Sequence, residues 1–273
     1  MRKLTSILII SSLCFSLVGC SIARANISNG IKEERLTIES TDFDNSCINW
    51  FFIPNDKFET PDINDKLSFK LEDYDAIYNG PTNSNNKSLY LTFDEGYENG
   101  YTNEILDILK EKNVKAVFFV TDHYIHYSPN TVKRMVEEGH VVANHTNHHN
   151  SMPSMTYSSE SFNKELGDVE NSFKELTGKD MPKLFRPPMG QYSEKSLAMT
   201  KDLGYKTVFW SFAYDDYEPN RQPYPSCAKS HILGHLHDGS ILLLHAISKT
   251  NALVLGDVID DARNLGYEFY LLD

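Results

Sequence analysis

Short runs of β-branched, aromatic and aliphatic residues recur from Lys87 to the C-terminus. They fall at 88–93, 116–121, 141–143, 183–185, 207–210, 241–244 and 268–271. Each is too short for a helix and apolar on both sides, the pattern of a buried parallel strand. Between them the apolar positions change to three- and four-residue spacing. Phe162, Leu166, Val169, Phe173 and Leu176 fall on one helical face, and Gly178 stops it. Ser128-Pro129 opens another helix, with proline in its first turn, that runs to Gly139. About seven such β-α alternations in one domain predict an open α/β sheet or an incomplete barrel. No internal repeat is evident.

The N-terminal third has a different texture. Arg2 and Lys3 precede an apolar run over 4–18, too short to span a bilayer and built like a secretory signal. The run ends Leu17-Val18-Gly19-Cys20, which resembles a bacterial lipobox. That resemblance implies cleavage before Cys20 and lipidation of its thiol, with plain secretion as the alternative. Residues 20–65 are polar and aperiodic and read as a tether. The expected organisation is a signal peptide at 1–19, an anchored extension at 20–65 and one domain at 66–273.

Composition narrows the partners. Lys and Arg number 26 against 38 Asp and Glu, a formal net charge of -12. Removing residues 1–19 takes away two basic groups and no acidic ones. A field of this sign repels phosphate backbones, so nucleic acid is an unsuitable partner. It also opposes adhesion to anionic lipid, which leaves the lipid anchor to hold the chain at a membrane. Cys47 and Cys227 lie far apart and suit free thiols better than a bridge or a metal site.

The chemistry lies at strand ends. Asp94 and Glu95 end the first strand, His145 to His149 follow the third, and Arg186 follows the fourth. Asp216 lies just past the fifth, and His245 ends the sixth. In parallel α/β folds the C-terminal strand edge gathers loops from different units, so five unrelated segments aim polar groups at one face. Individually each has an ordinary explanation. Asp-x-Gly commonly closes a strand. Three imidazoles in the five residues 145–149 suit a solvated turn, although an i, i+4 pair also suits one metal ion. His245, after Leu242-Leu243-Leu244, suits a satisfied core histidine.

Together they match a family. Thr92-Phe93-Asp94-Glu95-Gly96, His145-Thr146-Asn147-His148-His149, Arg186-Pro187-Pro188-Met189-Gly190, Asp216-Tyr217 and Leu242-Leu243-Leu244-His245 occur in that order. The set resembles the NodB-like polysaccharide deacetylases, carbohydrate esterase family 4, over 87–273. Tyr97-Glu98-Asn99-Gly100-Tyr101-Thr102 and Ser248-Lys249-Thr250-Asn251-Ala252 resemble the branch that acts on N-acetylmuramic acid in peptidoglycan and leads to muramic δ-lactam in spore cortex.

The resemblance implies an incomplete, distorted (β/α) barrel of about seven parallel strands and hydrolytic N-deacetylation of a glycan. It implies Asp94 as general base beside Arg186, and His245 as general acid held by Asp216. Met189 takes the oxyanion position, with Tyr217 and Leu243 at the substrate. Glu95, His145 and His149 are the implied ligands of a divalent metal, with Zn²⁺ first and Mn²⁺ or Co²⁺ as alternatives. The usual ligand at position 95 is Asp, so Glu95 puts the metal in question. Tyr217 stands where the family has Trp and keeps an aromatic wall. The implied partner is peptidoglycan outside the cytoplasm. Competing readings are a deacetylase of another acetylated glycan and a non-catalytic wall-binding lipoprotein on the same scaffold.

Overall fold

A computed structural model describes residues 43–272. Cys20 and the signal segment lie outside the described residues. The strands in chain order are β1 (Ile48–Asn49), β2 (Phe52–Ile53), β3 (Asp62–Ile63), β4 (Ala76–Ile77), β5 (Lys87–Glu95), β6 (Val117–Val120), β7 (Val141–Asn144), β8 (Leu184–Phe185), β9 (Gln191–Tyr192), β10 (Lys206–Val208), β11 (Ser240–His245) and β12 (Tyr267–Tyr270). The helices are α1 (Thr102–Glu111), α2 (Asp122–Tyr127), α3 (Pro129–Glu137), α4 (Met152–Met155), α5 (Ser159–Thr177), α6 (Glu194–Asp202), α7 (Pro225–Gly234) and α8 (Lys249–Asn264).

Eight of the strands form one sheet in the order β11-β5-β6-β7-β8-β10-β4, with β12 also on β5. All its pairings are parallel. The seven strands expected from the apolar runs are all in it, and the two-residue β4 is the addition. Long β5 pairs with β12 along Lys87–Tyr90 and with β6 along Thr92–Glu95, while β11 covers its other edge. Past β10 the chain meets β11 through a parallel bridge between Phe212 and Leu242. The sheet thus curls back towards its first strand, an incomplete and distorted (β/α) barrel.

Strand alternation sorts the side chains into two layers. Leu89, Leu91 and Phe93 of β5 and Leu242 and Leu244 of β11 pack outward against α1 and α8, in the largest core cluster. Tyr90, Val117, Phe119, Ala143, Leu184, Val208 and Ile241 fill the inside. α5 buries Phe162, Leu166, Val169 and Phe173, and Gly178 closes it with φ 71°. That is the left-handed conformation glycine adopts without penalty.

The expected tether is in fact part of the domain from Phe43 onward. β1 pairs antiparallel with β9. Trp50 is buried, stacks on Phe209 at 4.3 Å, and donates its indole N–H to the Trp210 carbonyl at 3.0 Å. Strands of two residues carry no period to detect, so the sequence shows only their polarity. Cys47 and Cys227 are exposed and unpaired. Among the described residues no helix is long and apolar enough to cross a membrane.

Candidate active site

Register places the first two functional groups side by side. Asp94 of β5 pairs with His245 of β11 at the C-terminal ends of neighbouring parallel strands. Both side chains line a cleft of about 1300 Å³ at that edge of the sheet. Behind Asp94 stands Arg186, fully buried, whose Nη1 donates to Asp94 Oδ1 at 2.8 Å. Its Nε and Nη2 donate to the carbonyls of Val208 and Phe209 at 3.0 and 3.3 Å, and its guanidinium lies 4.2 Å from the Phe119 ring. The prolines after Arg186 stiffen the backbone, so the guanidinium is fixed. Burial alone raises the Asp94 carboxyl, but the Arg186 charge and hydrogen bond, with His245 opposite, outweigh it and hold the group below its ordinary value. Asp94 is therefore an ionised carboxylate with Oδ2 left for the cleft.

The turn after β7 supplies two imidazoles. His145 Nδ1 donates to the Arg186 carbonyl at 2.8 Å, leaving Nε2 3.6 Å from Asp94 Oδ2. Burial pushes His145 down to about 4 against the pull of Asp94, so the ring is neutral. Thr146 and His149 are both left-handed, with φ 70° and 57°. Such residues cost about 1–3 kcal/mol each unless the surroundings over-determine them. Here Asn144 Oδ1 accepts from Thr146 N at 2.9 Å, and Thr146 Oγ1 accepts from His149 N at 3.0 Å. The rings of His145 and His149 meet edge to face at 5.0 Å. Neighbouring His148 instead bonds Glu165 Oε1 at 2.8 Å.

Across the cleft, His245 Nδ1 donates to Asp216 Oδ1 at 2.7 Å. Asp216 is fully buried, and its Oδ2 accepts from the His245 backbone N–H at 2.8 Å. Burial lowers the imidazole, but the Asp216 charge and hydrogen bond, with Asp94, raise it above its ordinary value. Tyr217 is half exposed and meets the His245 ring at 5.9 Å, while Leu243 lines the same wall. Met189 stands left-handed at the cleft, φ 59°, followed by Gly190 at φ 63°. A Cβ at Gly190 would lie 2.9 Å from the Trp210 ring and 3.0 Å from Trp50 Cβ, so only glycine fits. Trp50 N donates to the Gly190 carbonyl at 2.8 Å, so the N-terminal segment braces this loop.

Glu95 does not join them, which corrects the expected ligand set. β5 continues through residue 95, and alternation sends Asp94 into the cleft and Glu95 to the helix-covered face. Glu95 is fully buried, is absent from the cleft lining, and neither carboxylate oxygen has a hydrogen-bond partner. Metal–ligand bonds of about 2 Å would require its oxygen and the imidazole nitrogens to converge within roughly 3–4 Å. Among the described residues no group of three or more His, Cys, Asp or Glu side chains is so arranged. His145 and His149 remain in the cleft as a pair; the third donor faces away.

Burial, with Glu98 and Asp94 nearby, raises the Glu95 carboxyl well above its ordinary value. A group held protonated in the fold but ionised when unfolded weakens stability as pH rises past its unfolded value, about 4.3. Glu95→Gln is therefore expected to match the wild type near pH 4 and be more stable above about pH 5. Turnover should stay within about threefold. Urea melts across pH and initial rates check both, and a loss beyond about tenfold in rate would return Glu95 to the ligand set.

Several further residues line or brace the cleft without a role assigned from sequence. Trp210, Tyr97, His123 and His126 line it, the last two from α2. Asn251 donates to Asp216 Oδ2 at 2.6 Å, and Gln222 to the Asp216 carbonyl at 2.7 Å. Tyr97 and Asn251 had a signal as members of runs that resemble the muramic branch, whereas His123, His126 and Gln222 had none.

The chain is similar to known proteins. Residues 82–208 match the family model described as polysaccharide deacetylase. The peptidoglycan-N-acetylmuramic acid deacetylase PdaA of Bacillus subtilis (strain 168) is 42% identical over 229 residues, 84% of this chain and 86% of that protein. The solved structure of Bacillus subtilis PdaA, a family 4 carbohydrate esterase, matches with TM-score 0.79 at 41% identity, covering 84% of this chain and 96% of that one. A family 4 carbohydrate esterase from Bacillus anthracis matches with TM-score 0.68 at 40% identity, covering 85% and 96%. With relatives this similar spanning most of both chains, the chain belongs to the polysaccharide deacetylases of carbohydrate esterase family 4.

Proposed function

We propose that this protein hydrolyses the N-acetyl group of N-acetylmuramic acid in peptidoglycan, freeing the amine from which muramic δ-lactam forms in spore cortex. The observation that carries the reading is the in-register pair Asp94 and His245, each backed by its own buried counter-charge at one cleft. Asp94 Oδ2 takes a proton from water as the water oxygen attacks the acetyl carbonyl carbon. The backbone N–H at Met189 faces the developing oxyanion. His245, protonated, gives its Nε2 proton to the amide nitrogen as the C–N bond breaks, leaving acetate and a free amine. Arg186 and Asp216 hold the two groups in opposite protonation states. Deacetylases of this family are generally metal-dependent, but Glu95 faces away from the imidazoles here, and no step is assigned to an ion.

Similarity to PdaA supports the muramic substrate. The test is incubation with peptidoglycan, with and without prior amidase treatment, and mass spectrometry of the released muropeptides. Loss of acetyl from glucosamine alone would replace the substrate, and no loss from either sugar would favour a binding role. The paired shifts also set a pH profile. His245 must keep its proton, and its raised pKa carries activity above the ordinary histidine value of about 6.5 before the basic limb falls. Rates of acetate release from pH 5 to 9 check this, and a basic limb below about 6.5 would count against His245 as the acid.

Membrane attachment through lipidated Cys20 belongs to the same proposal and rests on the Leu17-Val18-Gly19-Cys20 run. Cys20→Ala is expected to move the protein from the membrane to the soluble or wall fraction. Unchanged membrane retention would mean that the apolar segment stays attached as the anchor.

A further inference from the structure

We infer that Asn251 is the positioning residue of the acid pair: its amide locks the Asp216 carboxylate onto His245, and Tyr214 in turn locks the amide. The inference rests on the reading of His245 as general acid. A buried carboxylate held through one oxygen can turn about its Cβ–Cγ bond and lose the imidazole. Asp216 cannot, because Oδ1 takes the His245 Nδ1 proton at 2.7 Å while Oδ2 accepts from His245 N at 2.8 Å and Asn251 Nδ2 at 2.6 Å. The same Nδ2 also donates to the His245 carbonyl at 3.1 Å. One amide thus holds both members of the pair.

The amide's orientation follows from its neighbours. A carboxylate only accepts, so Nδ2 must face Asp216, and Oδ1 is then left to accept the Tyr214 hydroxyl. Both Asn251 and Asp216 are buried from water, which leaves no solvent to substitute for a lost donor. A purely structural role at the start of α8 does not explain the side chain. The cap there is Ser248, whose Oγ accepts from the Asn251 backbone N–H at 3.1 Å. Any residue except proline supplies that N–H. The asparagine side chain is surplus to the helix and committed to Asp216.

The expected kinetic signature is a loss in kcat. Asn251→Ala should lower kcat by at least about tenfold, part of the roughly 10²–10⁴ a placed general acid contributes, with KM within about twofold. Tyr214→Phe keeps the amide but frees it, and should cost about threefold in kcat. In the Asn251→Ala background the same change should cost nothing further, because Tyr214 acts through the amide.

His245 is faced by Asp216, Asp94, Arg186, His149 and the Tyr217 ring. Of these the Asn251 change loosens only Asp216. The His245 titration midpoint, read by NMR of the imidazole in the full domain without substrate, should therefore move down. A folded Asn251→Ala with kcat within twofold of wild type, or with a midpoint that stays or rises, overturns the inference. If Asn251→Ala does not fold, the Tyr214→Phe midpoint decides: a fall supports the clamp, no change sinks it. If the wild type releases no acetate from muramic glycan, the proposed function falls, and the titration still tests the clamp alone.

Discussion

Asp94→Asn is expected to abolish measurable turnover, a loss of roughly 10²–10⁴-fold, with glycan affinity nearly intact and some stability lost because the buried Arg186 charge loses its counter-charge. The amide keeps the shape of the carboxylate and still offers an oxygen to Arg186 Nη1, now 2.8 Å from Asp94 Oδ1. What it cannot do is accept a proton from water at the free position beside His145. Acetate release and glycan pull-down, measured on the same preparation, separate the two effects. Residual activity within about tenfold of wild type would remove Asp94 from the role of base.

Arg186→Met should be more damaging, because it strikes stability and chemistry together. The guanidinium is fully buried, and removing one partner of a buried ion pair costs about 3–5 kcal/mol by leaving the other charge uncompensated. In the wild type the folded Asp94 pKa lies below its unfolded value, so the pair adds stability above that unfolded value, lost as pH falls. Without Arg186, burial dominates and the sign reverses: Asp94 is pushed up, and the variant should lose stability as pH rises. Its acid limb of activity should move up as well. Chemical denaturation at pH 5 and pH 8 reads the reversal, and a variant as stable as wild type at both would mean that the pair contributes nothing.

Much of this cleft is legible in the sequence, and for one physical reason. Apolar runs locate strands, and a polar residue immediately after a run lies at the strand mouth. That places Asp94, His145, Arg186 and His245 on one edge without knowledge of their contacts. The same reasoning failed at Glu95. The apolar run stops at Phe93 and leaves the directions of Asp94 and Glu95 open, whereas β5 stays regular through residue 95 and its pleat separates them. Boundaries of strands are weak signals because polar residues extend a ladder without announcing it. Residues 43–53 read as tether because Trp50 is a single buried anchor in a stretch without period, and the pairing of β1 with β9 joins segments far apart in the chain. Asn251 was visible only as part of a motif. Its partner Asp216 lies 35 positions earlier, and no local pattern connects them.

The pairing of β5 has a consequence for the order in which the molecule can fold. The strand that carries Asp94 lies early in the chain, yet one edge is completed by β11 and part of the other by β12, both from the last 34 residues. Closing loops of this span before any pairing energy is gained makes such sheets slow to form. A chain emerging from its N-terminus therefore exposes β5 as a long apolar strand with bare edges until synthesis or translocation is nearly finished. Asp94 can be seated only when the strand bearing His245 arrives beside it, so under the proposed mechanism hydrolytic competence appears in one late step and a chain stopped before residue 240 has none.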